Sequence, residues 1–258
     1  LTVQYQPMEF ITYDTHHEAH PVNDTTLTRN TLTFTRYAAM AWSMITLLTF
    51  SLAMIAIPPS GPYCPSECMV YPYADLLAYY PRDYFWLYSA IIQLFAYLVF
   101  VMSTYFIATQ DRKLFAFLST GFALIAATVL LIAYFTQFSV VPISLMKGET
   151  DGMLLLTQYN EHGLFIALEE LGYLTMSISL LFLAWVFPTN LRLGKFLRYL
   201  LMLPVIVTVG AFAFYSWQFG IDRSYRAEVA IITGNWLVTI VAGVAIAFYC
   251  KDLAKKTA

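Results

Sequence analysis

Six long apolar runs dominate the chain, at residues 37–58, 84–108, 114–138, 163–187, 196–219 and 227–250, and each is nearly free of charge. A helix that crosses a bilayer needs about 20 mostly apolar residues, because the hydrocarbon core is about 30 Å thick and each residue rises about 1.5 Å. Helices of that length in soluble proteins carry a charged face. The pattern therefore predicts an all-α transmembrane bundle of six spans.

The connections are of the opposite kind. Residues 58–83 hold Pro58, Pro59, Pro62, Pro65, Pro72 and Pro81, which bars one continuous helix. Within this loop, 74–80 is expected as a short helix at the interface. Residues 139–162 contain Pro142 and the polar turn 147–152, and 154–159 is expected as a second short interfacial element. Only 109–113 separates spans two and three, which makes them antiparallel neighbours. The chain divides into a polar tail 1–34, a six-span domain 35–250 and a basic tail 251–258. The first 32 residues hold no apolar core of signal-peptide type.

Composition agrees with the pattern. Of the 258 residues, 59% are hydrophobic and 12% charged, against about a quarter charged in soluble domains. Aromatic residues make up 17%, which suits helix ends at membrane interfaces. A net charge of −2 gives no footprint for nucleic acid. The expected partners are membrane lipids and, in one reading of the function, another membrane protein.

Lysine and arginine set the expected orientation. Arg29, Arg36, Arg112, Lys113, Arg192, Lys195, Arg198, Lys251, Lys255 and Lys256 fall on the side of the termini. Arg82, Lys147, Arg223 and Arg226 fall on the other. The imbalance predicts a multi-pass plasma-membrane protein with both termini cytoplasmic. Cys64 and Cys68 then face the oxidising side, where a disulfide between them can persist.

The candidate chemistry centres on the start of the fourth span, with Asn160, Glu161, His162, Gly163, Glu169, Glu170, Gly172 and Tyr173. Glu169 and Glu170 fall about 7–10 Å inside the predicted span. Carboxylates at such depth are costly and usually face a bundle interior or a wet cavity. His162 lies seven residues before Glu169 and Tyr173 four after it, so helical spacing aligns the three. The sixth span offers Glu228, Asn235 seven residues on, and Thr239, with Arg223 and Arg226 just outside. Two roles fit these residues. One is an outward-facing ligand pocket of His162, Glu169, Glu170, Tyr173, Glu228, Asn235 and Arg226. The other is a structural lock, in which Glu169 pairs with Arg226 or Arg82 or hydrogen-bonds a tyrosine. Two neighbouring carboxylates at low dielectric do not both ionise easily. A pocket built on them suits proton-coupled transport or acid–base work on a lipid-like substrate.

Other features carry less. His16, His17 and His20 in the tail are weak candidates for zinc or copper, set against an ordinary solvated tail. The turn at Glu149 and Asp151 lacks calcium-loop spacing. Gly121, Gly234 and Gly243 are expected at close helix contacts. No pair of intramembrane histidines, mid-span lysine, phosphate loop, dinucleotide fingerprint or serine elbow occurs, so no cofactor is expected.

The runs TQYNEHGLFIALEELGYLTMSISLLFLA (157–184) and YPYADLLAYYPRDYFWLY (71–88) resemble segments of an uncharacterised family of prokaryotic multi-spanning membrane proteins. That resemblance implies the class and a prokaryotic origin, and no activity. A looser similarity, in kind only, is to the sterol-isomerase superfamily, which sets carboxylates and aromatics around an apolar ligand; here Asn235–Trp236 and the glutamate pair are the similar features. Three functions follow as expectations. The first is binding or transport of a small or lipid-like molecule. The second is an accessory subunit of a larger membrane complex. The third is an intramembrane lipid-modifying enzyme with the glutamates as acid and base.

Overall fold

The computed structural model describes residues 24–56, 59–73 and 75–256, with side chains from Arg29 onward. Among them lie eight α-helices: α1 (Asp24–Ile55), α2 (Phe85–Ile107), α3 (Lys113–Ser139), α4 (Val141–Met146), α5 (Met153–Leu156), α6 (Leu164–Val186), α7 (Arg192–Phe219) and α8 (Arg226–Lys256). All but α4 and α5 are long and apolar enough to cross a membrane. The protein is an all-α bundle of six candidate spans.

Four spans begin and end within a few residues of the apolar runs; the last carries on beyond its run to Lys256. α1 starts well before its run, at Asp24 rather than 37. The intervening stretch is rich in Thr, so it is invisible to hydropathy. It contains no Gly or Pro to break a helix that is already propagating. The expected interfacial elements are single turns, a 3₁₀ turn at Leu76–Tyr79 and α5. α4 is an addition to them. Pro142 sits in its first turn, where a missing N–H costs nothing.

The spans form a closed ring in the order α1, α2, α3, α6, α7, α8, and α6 also touches α8 across the middle. The ring has two ends. The terminal end carries the start of α1 and the end of α8; the loop end carries the long α1–α2 connection.

Beside an apolar core, the interior also holds polar residues and the exterior is apolar, unlike a soluble protein. Thr46, Gln93, Ser119, Ser177, Thr208 and Asn235 are buried, while Leu47, Phe95, Phe117, Ile132 and Phe248 face outward. Lipid tails are as apolar as leucine, so helices there associate through close packing and polar contacts. Ser177 Oγ lies 2.8 Å from Thr208 Oγ1, and Gln93 Nε2 donates to Thr46 Oγ1 at 3.1 Å. At Gly243 a Cβ would sit 2.6 Å from Ser43 Cβ, and at Gly234 it would sit 2.7 Å from Val207 Cγ1. Both glycines let α8 approach its neighbours. Gly121 does not share this role: it faces outward with nothing within 4 Å of its absent side chain.

The terminal end is plugged. Phe187, 1% exposed, packs edge-on to Tyr249 at 5.3 Å. Arg198 donates to the Phe187 carbonyl through Nε and Nη2 (3.1 and 2.8 Å), and Arg112 Nη1 donates to the Val186 carbonyl at 3.3 Å. Two cations thus satisfy the orphan carbonyls at the end of α6, where the helix dipole favours positive charge.

The loop end is lidded rather than plugged. Cys64 and Cys68 form a disulfide, and the Met69 amide donates to the Pro59 carbonyl at 2.7 Å. Ser60 Oγ donates to the Tyr159 carbonyl at 2.8 Å, and the Tyr225 hydroxyl donates to the Ser60 carbonyl. Gly61 adopts φ +71° directly against the Tyr225 ring. Only glycine offers that backbone with no side chain to strike the ring.

Candidate functional site

Beneath this lid, the loop-end turns of α1, α2, α6 and α8 enclose a cavity of about 480 Å³. The size is that of a small-ligand site. Its polar wall includes the carboxyls of Asp83, Glu169 and Glu228, the phenols of Tyr63, Tyr159 and Tyr225, and Ser60, Gln158 and Thr233. Its apolar wall includes Phe50, Trp86, Phe165 and Trp236. No lysine or arginine lines it. Met54 and Val229 also line the cavity and are exposed, which puts its mouth between α1 and α8.

Glu169 is 1% exposed, and its Oε1 has no hydrogen-bond partner. The carboxyl adjoins that of Glu228 and the Tyr134 hydroxyl. Tyr134 in turn lies 2.9 Å, hydroxyl to hydroxyl, from Tyr173. Tyr173 is one turn beyond Glu169 on the same face of α6, so the cavity rests on a tyrosine pair. Trp236 stands beside them, its ring 6.0 Å from Phe50 and 6.3 Å from Trp86.

Asp83 is held differently. Its Oδ1 accepts from Arg82 Nε at 2.6 Å, while its buried Oδ2 has no partner. The Tyr159 hydroxyl and the Trp236 Nε1 are also buried without a well-formed hydrogen bond, beside the hydroxyls of Tyr84 and Tyr173. Four unpartnered polar atoms therefore belong to residues of one cavity wall. Buried polar atoms are nearly always paired, and each exception calls for an explanation. Trp42 Nε1, Tyr97 Oη and Thr239 Oγ1 are likewise unpartnered, but their residues do not line the cavity.

Glu170 has a different fate. Successive helical residues are about 100° apart, so it points away from Glu169. Its carboxylate takes Arg223 in a two-pronged pair, Nη2 to Oε2 at 2.7 Å and Nε to Oε1 at 3.3 Å. That hydrogen-bonded carboxylate holds Arg223 above its usual pKa range. The two glutamates do not converge on one reacting atom. The close carboxyl pair is Glu169 with Glu228, from different helices.

The arginines considered as partners of Glu169 are engaged elsewhere. Arg226 lies over the Phe219 ring at 4.4 Å and donates to Ser224 Oγ at 3.2 Å; Arg82 binds Asp83. The tyrosine considered with them is present, as Tyr134. His162 precedes α6 and is exposed. It borders a separate depression with Glu149 and Asp151. Among the described residues no three His, Cys, Asp or Glu side chains gather closely enough to hold a metal. His16, His17 and His20 lie outside the described residues. Asn235 is buried below the cavity, accepting from Ser177 Oγ at 3.2 Å and donating to the Ile231 carbonyl at 2.9 Å.

Asp83, Trp86, Tyr159 and Tyr225 escaped the sequence pattern. Asp83 left one local signal, an acidic residue three before a tryptophan at the start of an apolar run. The rim phenols stay neutral at ordinary pH. Burial pushes Tyr225 up to about 12, and burial, with Tyr84 and Asp83 nearby, raises Tyr159. No protein family, curated protein or solved structure matches the chain.

Proposed function

We propose that the chain is a multi-pass membrane protein that binds, and in a transport cycle would carry, a small amphiphilic molecule in the cavity around Glu169 and Glu228. One observation carries this: a fully buried Glu169 oxygen without a partner, on the wall of a cavity large enough for a ligand. Burying a carboxylate oxygen unpaired costs several kcal/mol in order of magnitude. A ligand that bonds to it offsets that cost.

The plug at the terminal end supports a site that is accessible from one side only in this conformation. The loop end is assigned to the non-cytoplasmic side. Ten of the fourteen Lys and Arg residues lie toward the terminal end, and the Cys64–Cys68 disulfide suits an oxidising compartment. The mouth between α1 and α8, flanked by exposed Met54 and Val229, opens at the level of the lipid headgroups. It admits a molecule from the membrane as readily as from water.

The test is accessibility in lipid nanodiscs. Thr233 lines the cavity and Ala123 is fully buried in the bundle. A cysteine at Thr233 (T233C) should react with methyl methanethiosulfonate, a small neutral thiol reagent, on the timescale of an exposed thiol. A cysteine at Ala123 (A123C) should resist. If T233C is as slow as A123C, the cavity is closed in the membrane and the proposal falls.

A further inference from the structure

We infer that the ligand is an amphiphilic organic monocation, an ammonium or quaternary ammonium carried on an apolar body. The inference rests on the cavity being a ligand site and names the class of molecule it takes.

The unpartnered atoms give the first argument. Two are carboxylate oxygens, Glu169 Oε1 and Asp83 Oδ2, and both can only accept unless protonated. The wall has no lysine or arginine to satisfy them. An anionic ligand would meet three carboxyl groups and no cation. A bare metal ion would need several oxygen ligands gathered at one point, and no such cluster occurs among the described residues.

Charge counting gives the second. Asp83 is already answered by Arg82 at 2.6 Å. Glu170, behind the wall, is answered by Arg223 at 2.7 Å. That leaves Glu169 and Glu228, whose carboxyls adjoin on a wall with no lysine or arginine. Two adjoining carboxyls that share a single proton carry one net negative charge. A ligand with one positive charge neutralises it.

The aromatic residues give the third. Phe50, Trp86 and Trp236 are linked through ring contacts at 6.0 and 6.3 Å, and Tyr134 packs edge-on to Trp86 at 5.4 Å. Tyr63 and Tyr225 stand 5.8 Å apart at the rim. Rings of this kind around a cation attract it through their negative faces, most strongly for tryptophan and for a desolvated ammonium. Their bulk also accepts the apolar body, and the exposed mouth lets a tail extend into lipid.

The experiment uses T233C in nanodiscs of uncharged lipid. Labelling by methyl methanethiosulfonate is followed with benzyltrimethylammonium, with its neutral isostere neopentylbenzene, or with benzenesulfonate. The ammonium should protect the thiol at concentrations about tenfold lower than the isostere, and the sulfonate should not protect. In the double variant Glu169→Gln/Glu228→Gln the tenfold preference should vanish. Equal protection by ammonium and isostere in the otherwise native protein overturns the inference and leaves the cavity proposal standing; this comparison decides even if the double variant does not fold. A preference that survives in a folded double variant overturns the assignment to the glutamates. Failure of T233C to label at all removes the cavity proposal itself.

Discussion

The two ends of the bundle treat buried charge in opposite ways. At the terminal end, Arg198 and Arg112 are spent on the Phe187 and Val186 carbonyls, and Phe187 fills the space between helices. At the loop end, Glu169 and Asp83 each keep an unpartnered oxygen at the wall of the cavity. The same contrast appears between neighbours in sequence: Glu170 is fully engaged by Arg223, and Glu169 by no cation. The groups that close the terminal end and the Glu170–Arg223 pair are saturated, whereas Glu169 and Asp83 at the cavity keep capacity for something else.

If the terminal end is structural, its loss should be the most damaging to stability. Phe187→Ala should destabilise by about 3 kcal/mol, in the range for truncating a buried phenylalanine, measured by denaturant unfolding in a fixed detergent. A change below about 1 kcal/mol would mean the plug is loose and the ends are less different than argued. The Glu170–Arg223 pair comes next. It is partly exposed, with 30% of the Arg223 side chain and 12% of the Glu170 side chain accessible, so solvent screening reduces its value. Arg223→Met should cost about 1–2 kcal/mol, chiefly by leaving Glu170 without its cation, and should leave the labelling of T233C unchanged. Altered labelling would show that this pair belongs to the cavity after all.

The fold was legible because the bilayer imposes one length on every span. Runs without charge and bounded by breakers could be read directly. The start of α1 was not, since its Thr-rich first turns carry no hydropathy signal. At the site, Glu169 and Glu228 stood out because a carboxylate in an apolar run is rare. Their pairing did not, because it joins residues 59 positions apart across α6 and α8 (228 minus 169). Sequence adjacency pointed instead to Glu170, which the helical rotation turns away. His162 lay at the right spacing for the face of Glu169, but α6 begins only after Gly163, so helical periodicity does not extend to it. Asp83, Tyr159 and Tyr225 come from connections and helix ends, where no periodicity ties one residue to another.

The most direct measurement is the stability of Glu169→Gln in the same lipid as the native protein, with Arg223→Met alongside. If Glu169 is kept for a ligand, replacing its carboxyl with an isosteric neutral amide should leave unfolding stability within about 0.5 kcal/mol of the native value or raise it. A loss equal to or larger than that of Arg223→Met would show that Glu169 is part of the scaffold, and the loop end would then be built as the terminal end is.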